Sequence, residues 1–369
     1  MANERFIYHS PFTIYHLQFD KICMKAWADV IGHEWAIELL AKTLANQRIG
    51  HAYLFTGAAQ VGKTTVAMRF AMALNCTAND EPATVSMFGD VDEGDKRPCG
   101  TCRSCRLIID QKHPDVTVLQ PDVNARGKKT LKIEAVRQLQ RQLQLAVYEG
   151  PYKIAIITDF DSATIGAANA FLKTLEEPPA HVILLLTATA ADTLLDTIKS
   201  RCRVLNLRPL PPATIRNHLI DKLGVPSERA TLLAHVSNGR PGWAITAASD
   251  PKILEAYQET RTLLEDVLAN GIVPRFKVAE KLAKQPEALF TVLDVWGAWW
   301  RDVLLVAEGA ADSTLTNVDV IDRLRDVAGQ WTGEVIRGSL QETNEAARHI
   351  ARNANTRLVL ENLLLRYPQ

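Results

Sequence analysis

Eight residues, Gly57-Ala58-Ala59-Gln60-Val61-Gly62-Lys63-Thr64, fit the pattern G-x-x-x-x-G-K-[ST]. They lie between an apolar run at 52–56 and a helical pattern at 64–74. Strand, glycine loop and helix in that order are what a phosphate-binding loop requires. The glycines let backbone amides turn inward around phosphate oxygens, with the positive end of the helix behind them. Lys63 then reaches the β and γ phosphates of a triphosphate, the Thr64 hydroxyl coordinates Mg²⁺, and Thr65 belongs to the same first turn. The pattern predicts a binding site for ATP with Mg²⁺. A loop that keeps the shape without binding stays open, because the motif reports geometry only.

A second cluster carries metal chemistry. Cys99, Cys102 and Cys105 form two overlapping C-x-x-C steps, a spacing that lets thiolates close on one tetrahedral Zn²⁺. Cys76 is the expected fourth ligand, reached across a polar, acidic excursion at 77–98. Four thiolates leave no open coordination position, so the expected zinc is structural. Cys23 and Cys202 fall outside this set. Clustered thiols of this kind also point to a reducing, cytoplasmic setting rather than to disulfides.

Hydrolysis needs more than a phosphate loop. A P-loop ATPase ends its second core strand with an Asp that holds the metal through water and a Glu that polarises the attacking water. Here the run 153–158 ends in Thr158-Asp159-Phe160-Asp161. Asp159 suits the metal, but a phenyl ring at 160 cannot orient a nucleophile. Asp161 is expected to cap the helix that follows. These residues predict nucleotide binding without efficient turnover. Arg201, in Ser200-Arg201-Cys202, and Arg240, in Asn238-Gly239-Arg240-Pro241-Gly242, are ambiguous on their own.

The elements that must position these groups alternate. A helix is expected over 26–46, with Ile37, Leu40 and Leu44 on one face. Strands are expected at 52–56, 116–119, 153–158 and 182–187, and helices at 64–74, 133–147 and 162–177. Such alternation indicates a parallel sheet covered on both faces. Prolines at 209, 211 and 212 break the pattern, and everything beyond reads helical, including a segment with Trp296, Trp299 and Trp300. The divisions that fit are a tail at 1–25, an α/β unit at 26–210 with a cysteine module at 76–105, a small helical unit at 211–250, and a longer helical unit at 251–369.

At 369 residues the chain can hold several cores, and 42 Lys plus Arg balance 42 Asp plus Glu. No global field draws it to nucleic acid or anionic lipid, so any DNA contact must be local or shared. Arg126, Lys128, Lys129 and Lys132, followed by Arg137 and Arg141, could face phosphates or form the solvated side of a helix. The longest apolar run, 182–186, is too short to span a membrane. The first 20 residues have no secretory pattern, and with Met24 ahead of the first helix, residues 1–23 are either a tail or a product of start-site choice.

The runs HAYLFTGAAQVGKTT (51–65), ANAFLKTLEEPP (168–179) and IKSRCRVLNLRPL (198–210), with the four cysteines, resemble bacterial DNA polymerase III clamp-loader subunits. The resemblance covers 26–250 closely and continues more weakly through NANTRLVLENLLL (353–365). It implies an AAA+ α/β P-loop domain with a parallel sheet and a zinc-binding insertion, then a small helical lid domain and an all-α C-terminal collar. Motor (gamma/tau) and delta-prime subunits share these motifs. Phe160 in place of the motor glutamate, the end of the chain soon after the helical region and the character of the closing stretch favour delta-prime. The intact Gly57, Gly62, Lys63 and Thr64 depart from the members that have lost the loop, so ATP binding and a gamma/tau-type motor stay open. The resemblance further implies partnership with gamma/tau, delta, the sliding clamp and, through the complex, primed DNA. Arg201 would be an arginine finger in trans, Thr187 a sensor-1 residue, and Arg240 lies near the sensor-2 position.

Overall fold

The computed structural model describes residue 27 and residues 30–78, 97–124, 129–352 and 354–368. The expected tail with Cys23, most of the acidic excursion, and Arg126 and Lys128 lie outside the described residues. The strands are β1 (Ala52–Thr56), β2 (Val116–Leu119), the two-residue pair β3 (Asp122–Val123) and β4 (Lys129–Thr130), β5 (Lys153–Ile157), β6 (Val182–Ala188) and β7 (Arg203–Asn206). Five make one parallel sheet in the order β2-β5-β6-β1-β7, and β3 pairs antiparallel with β4.

The central strands are buried along their whole length because both faces are covered. Their side chains alternate between two cores. Tyr53, Phe55, Ile154, Ile156, Ile183 and Leu185 face α1 (Glu34–Ala45), α2 (Lys63–Leu74) and α3 (Arg103–Ile109). Leu54, Ala155, Ile157, Leu184 and Leu186 face α4 (Ile133–Leu143) and α5 (Ile165–Glu176). After β6 a short helix α6 (Asp196–Lys199) leads into β7.

Beyond residue 211 the described chain is helical. Helices α7 (Pro212–Leu223), α8 (Ser227–Val236) and α9 (Pro241–Ser249) share a small apolar core around Ile215, Leu219, Leu233 and Ala244. The longer helices α10 (Pro251–Ala269), α11 (Ile272–Ala283), α12 (Pro286–Ala307), α13 (Ile321–Gln330), α14 (Gly333–Ala351) and α15 (Thr356–Arg366) form another. Its centre is Trp296, Trp299 and Trp300, with Tyr367 against the first and third rings.

Three expectations need correction. The first helix begins at Glu34, not near 26, because Gly32 and His33 adopt left-handed backbone (φ 64° and 61°) that a helix cannot contain. Asp161 does not cap α5. Thr164 does, its hydroxyl accepting the Ala167 N–H at 3.2 Å, while Asp161 sits in a 3₁₀ turn at Phe160–Ser162. The proline that breaks the pattern at 212 opens a helix, as do Pro241, Pro251 and Pro286. A first-turn residue needs no N–H partner, so proline is tolerated there. Strand β7 was not anticipated: only Leu205 of its four residues is buried, so it lacks the apolar signature.

Candidate functional site

Parallel strands end on one side of the sheet, where α/β folds place their ligand sites. At that side Gly57 follows β1, Asp159 lies just past β5, and Thr187 lies near the end of β6. Gly57 has φ 141°, and a Cβ on it would stand 2.2 Å from the Leu207 carbonyl oxygen. Only glycine lets β7 approach that closely, and the Leu207 N–H donates to Thr56 O at 2.7 Å across the gap. Gly62, at φ 110°, turns the chain into α2.

Lys63 opens α2 and is buried (6% exposed). Its ammonium donates to the Gly57 and Ala58 carbonyls at 2.7 and 2.8 Å, within the loop itself. Burial lowers its pKa, opposed by the charges of Asp159 and Asp161 nearby. Thr64 is exposed and Thr65 half-buried on the same turn. The tip of the loop touches α9, where the Gly242 N–H donates to Gln60 O at 3.0 Å. His33, the residue just before α1, closes the loop from the other side through a 3.0 Å contact with Val61 O.

Asp159 is itself left-handed (φ 47°), and its N–H donates to the buried Thr187 hydroxyl at 3.0 Å. Its carboxylate pairs with the Lys129 ammonium. Phe160 is 1% exposed and packs on Phe171, ring centres 5.4 Å apart, so it fills the core beneath α5. Asp161 accepts from both the N–H and the hydroxyl of Thr189. Both carboxylates at this strand end are therefore engaged within the chain.

Arg201 lies between α6 and β7, bonded to Thr197 O (2.8 Å) and paired with Glu176 at the end of α5 (2.9 Å). Among the described residues no hydrogen bond or ion pair joins it to the phosphate loop. Arg240 is the residue just before α9; its side chain donates to Ser237 O and reaches Asp294 of α12 at 3.5 Å. Of the basic stretch, Lys129 and Lys132 pair within the chain, the latter with Asp122, while Arg137 and Arg141 are exposed on α4.

The four cysteines come together. Their sulfurs all lie within 4.8 Å of one another, and those of Cys76 and Cys102 are 4.0 Å apart. Sulfurs about 2.3 Å from a tetrahedral zinc stand about 3.8 Å from each other, so the set fits such an ion. A ladder of backbone donors supports thiolate: the N–H groups of Cys99, Cys102 and Cys105 donate to the sulfurs of Cys76, Cys99 and Cys102 in turn, at 3.4, 3.2 and 3.4 Å. The Cys105 thiol donating to Cys76 holds that group down at about 5, and Cys105 as the donor is pushed up. Burial pushes Cys102 up too, but hydrogen bonds from the Cys105 N–H, from Thr77 and from the Cys105 thiol together outweigh it and leave the thiol lowered. Cys202 stands apart, its thiol raised to about 12 by burial against the second core.

A buried relay that the sequence did not reveal ties this module to the sheet. Ser104 of α3 bonds His113 at 3.0 Å, and the Asp115 N–H donates to the same ring. The Asp115 carboxylate, fully buried, accepts from the N–H groups of Tyr148, Glu149 and Gly150 ahead of β5. No local spacing signals such a set, because Asp115 and its donors at 148–150 are separated by 33 to 35 residues.

A family model described as "DNA polymerase III, delta subunit" matches residues 32–211, and one described as "DNA polymerase III, delta subunit, C terminal" matches 255–369. The chain is 28% identical over 347 residues to the DNA polymerase III subunit delta' of Bacillus subtilis, covering 89% of this chain and 94% of that protein. It is 36% identical over 195 residues to the DNA polymerase III subunit tau of Salmonella typhimurium, covering 53% of this chain and 27% of that protein. A solved gamma subunit-related protein from Thermotoga maritima aligns over 90% of this chain and 98% of its own at 17% identity, with a TM-score of 0.41.

Proposed function

Because the chain belongs to the bacterial DNA polymerase III clamp-loader subunits, we propose that it is the delta-prime-type member, a partner of the ATPase subunits rather than a motor itself. Phe160 is the observation that carries this reading. A motor needs a carboxylate there to orient water, and this side chain is apolar and built into the core. The similarity to the delta' relative also runs through the helical region, whereas the similarity to tau is confined to about half of the chain.

In this role the P-loop holds ATP without turning it over. Gly57 and Gly62 shape the loop, Lys63, Thr64 and Thr65 contact the phosphates, and Asp159, Thr187 and Arg240 border the site. Arg201 reaches a neighbouring motor subunit's ATP, where a planar guanidinium stabilises charge on the γ-phosphoryl oxygens. Cys76, Cys99, Cys102 and Cys105 hold a structural zinc. Helices α7–α9 act as the lid and α10–α15 as the collar that joins gamma/tau and delta. The assembled complex, in the cytoplasm, opens the sliding clamp and sets it on primed DNA.

The test is reconstitution of the chain with motor and delta subunits, beside ATP turnover by the pure chain. The expected result is a stable complex that loads clamps, with negligible hydrolysis by the chain alone. Steady hydrolysis by the pure chain that disappears in Lys63→Ala would instead identify a gamma/tau-type motor.

A further inference from the structure

The contact between Lys129 and Asp159 has no part in the proposed role, yet it sits where the P-loop pattern calls for a metal. A Mg²⁺ ion bound beside Thr64 draws on the Asp159 carboxylate, directly or through water. Here that carboxylate is already matched by an ammonium from the same chain. The residues present therefore do not fit the ion as the motif would arrange it.

Both ends of this pair are anchored. Lys129 stands opposite Val123 in the β3–β4 pairing. Two residues later the Leu131 N–H donates to Ser162 O, and the Leu131 carbonyl accepts the Thr164 N–H, both at 3.0 Å. The strand is thus stitched to the turn that follows Asp159. Asp159 is fixed in turn by its N–H to Thr187 and by its carbonyl, which accepts the Ser162 N–H (2.9 Å) and hydroxyl (2.7 Å). The lysine side chain is 54% exposed, so its charge remains open to an approaching anion. It also lies close enough to influence Lys63, the phosphate-loop lysine.

We propose that Lys129 is a resident cation of the nucleotide site: by neutralising Asp159 it removes the need for Mg²⁺, so the loop takes metal-free nucleoside triphosphate about as well as the Mg²⁺ complex. This rests on the reading of 57–64 as a nucleotide-binding loop. Without Lys129 the uncompensated Asp159 would repel the triphosphate until a divalent ion entered between them.

The experiment titrates ATP calorimetrically into the full chain in excess Mg²⁺ and in Mg²⁺-free buffer. No chelator is added, so that the cysteine site is left intact. A unit charge within a few ångströms of a phosphate in a half-exposed site changes affinity about tenfold. Wild type should therefore differ less than about threefold between the buffers, whereas Lys129→Met should lose about tenfold in Mg²⁺-free buffer and recover it with Mg²⁺. Lys129→Arg should behave as wild type. An unchanged melting temperature would establish that the half-exposed substitutions leave the fold intact. Wild-type binding that needs Mg²⁺ by tenfold or more, or the same ratio in Lys129→Met as in wild type, overturns the proposal. Lys63→Ala separates it from the reading beneath it. Mg²⁺-dependent binding that Lys63→Ala abolishes sinks Lys129 alone, and a wild type that binds no ATP in either buffer sinks the nucleotide site and this proposal together.

Discussion

Replacing Arg201 by alanine should separate folding from function. In the free chain the guanidinium donates a short hydrogen bond to Thr197 O and a long one (3.4 Å) to the Ser200 hydroxyl, and it makes one ion pair, to Glu176, with about a third of its side chain in solvent. An exposed pair of this kind contributes about 0.2–1 kcal/mol, and the hydrogen bond about 1 kcal/mol. The sum is small for a chain of this length, so Arg201→Ala should lower the melting temperature by only a few degrees. Its effect on a neighbour's chemistry should be far larger. Losing an arginine finger costs on the order of a thousandfold at the site it serves, about 4 kcal/mol. In a reconstituted loader the loss in clamp- and DNA-stimulated hydrolysis should be smaller than that, because other motor sites keep their own fingers. Arg201→Lys should not restore it, since a point charge cannot span two γ-phosphoryl oxygens as the planar fork does. The assay is hydrolysis and clamp loading by a complex whose assembly is verified beforehand. A mutant complex that assembles and loads at the wild-type rate would falsify the finger and leave Arg201 as a brace for Glu176.

Protein purified without added zinc should carry about one zinc per chain, and a chain with no zinc and four freely reactive thiols in the 76–105 module would refute the metal site. Gly57→Ala should destabilise by about 2–4 kcal/mol in thermal or denaturant unfolding, because the added methyl meets the Leu207 carbonyl on a backbone that disfavours side chains; a loss under about 0.5 kcal/mol would show that β7 can yield. Asp115 should give the fold an acid limb. Burial pushes its carboxyl up, but the N–H groups of Glu149, Gly150 and Tyr148 outweigh burial and hold it below the ordinary value. A depressed folded pKa means that the contribution is complete above about pH 4 and drains away as pH falls through the folded value. The stability gap between wild type and Asp115→Asn should therefore be widest near neutrality and narrow below about pH 4, and a gap that widens with acid would contradict the assignment.

The strand, glycine loop and helix at 52–74, the three cysteines at 99, 102 and 105 and the alternation of strands and helices were legible because each is written in local spacing. The unbroken apolar runs at 154–157 and 182–186 could only be strands covered on both faces. What escaped depends on long-range closure. β7 shows three of its four side chains to solvent and is a strand only because β1 lies beside it. The partner of Asp159 comes from thirty residues upstream, and basic residues there read equally well as a stripe for phosphates. Asp161 looked like a cap because it precedes a helix; its partner Thr189, which takes it away from that task, lies at the end of another strand. Prolines misled in a different way, since the same missing N–H that ends one helix suits the first position of the next.

The three-helix unit α7–α9 is gripped unequally by its neighbours. Toward the longer helical unit, Arg240 meets Asp294, Asn238 meets Arg301 at 2.9 Å, and His235 meets Leu315 O at 2.8 Å. Toward the sheet it holds the phosphate loop at Gln60 and the connecting segment through Leu210 N–H to Gly239 O. With three polar contacts on one side and two on the other, the unit bridges the glycine loop and the longer helices. A helix of 22 residues such as α12 is about 33 Å long, and tilting it by about 5° carries its far end about 3 Å. A turn of the three-helix unit started at Gln60 would therefore be larger at the far end of α12 than at the glycine loop.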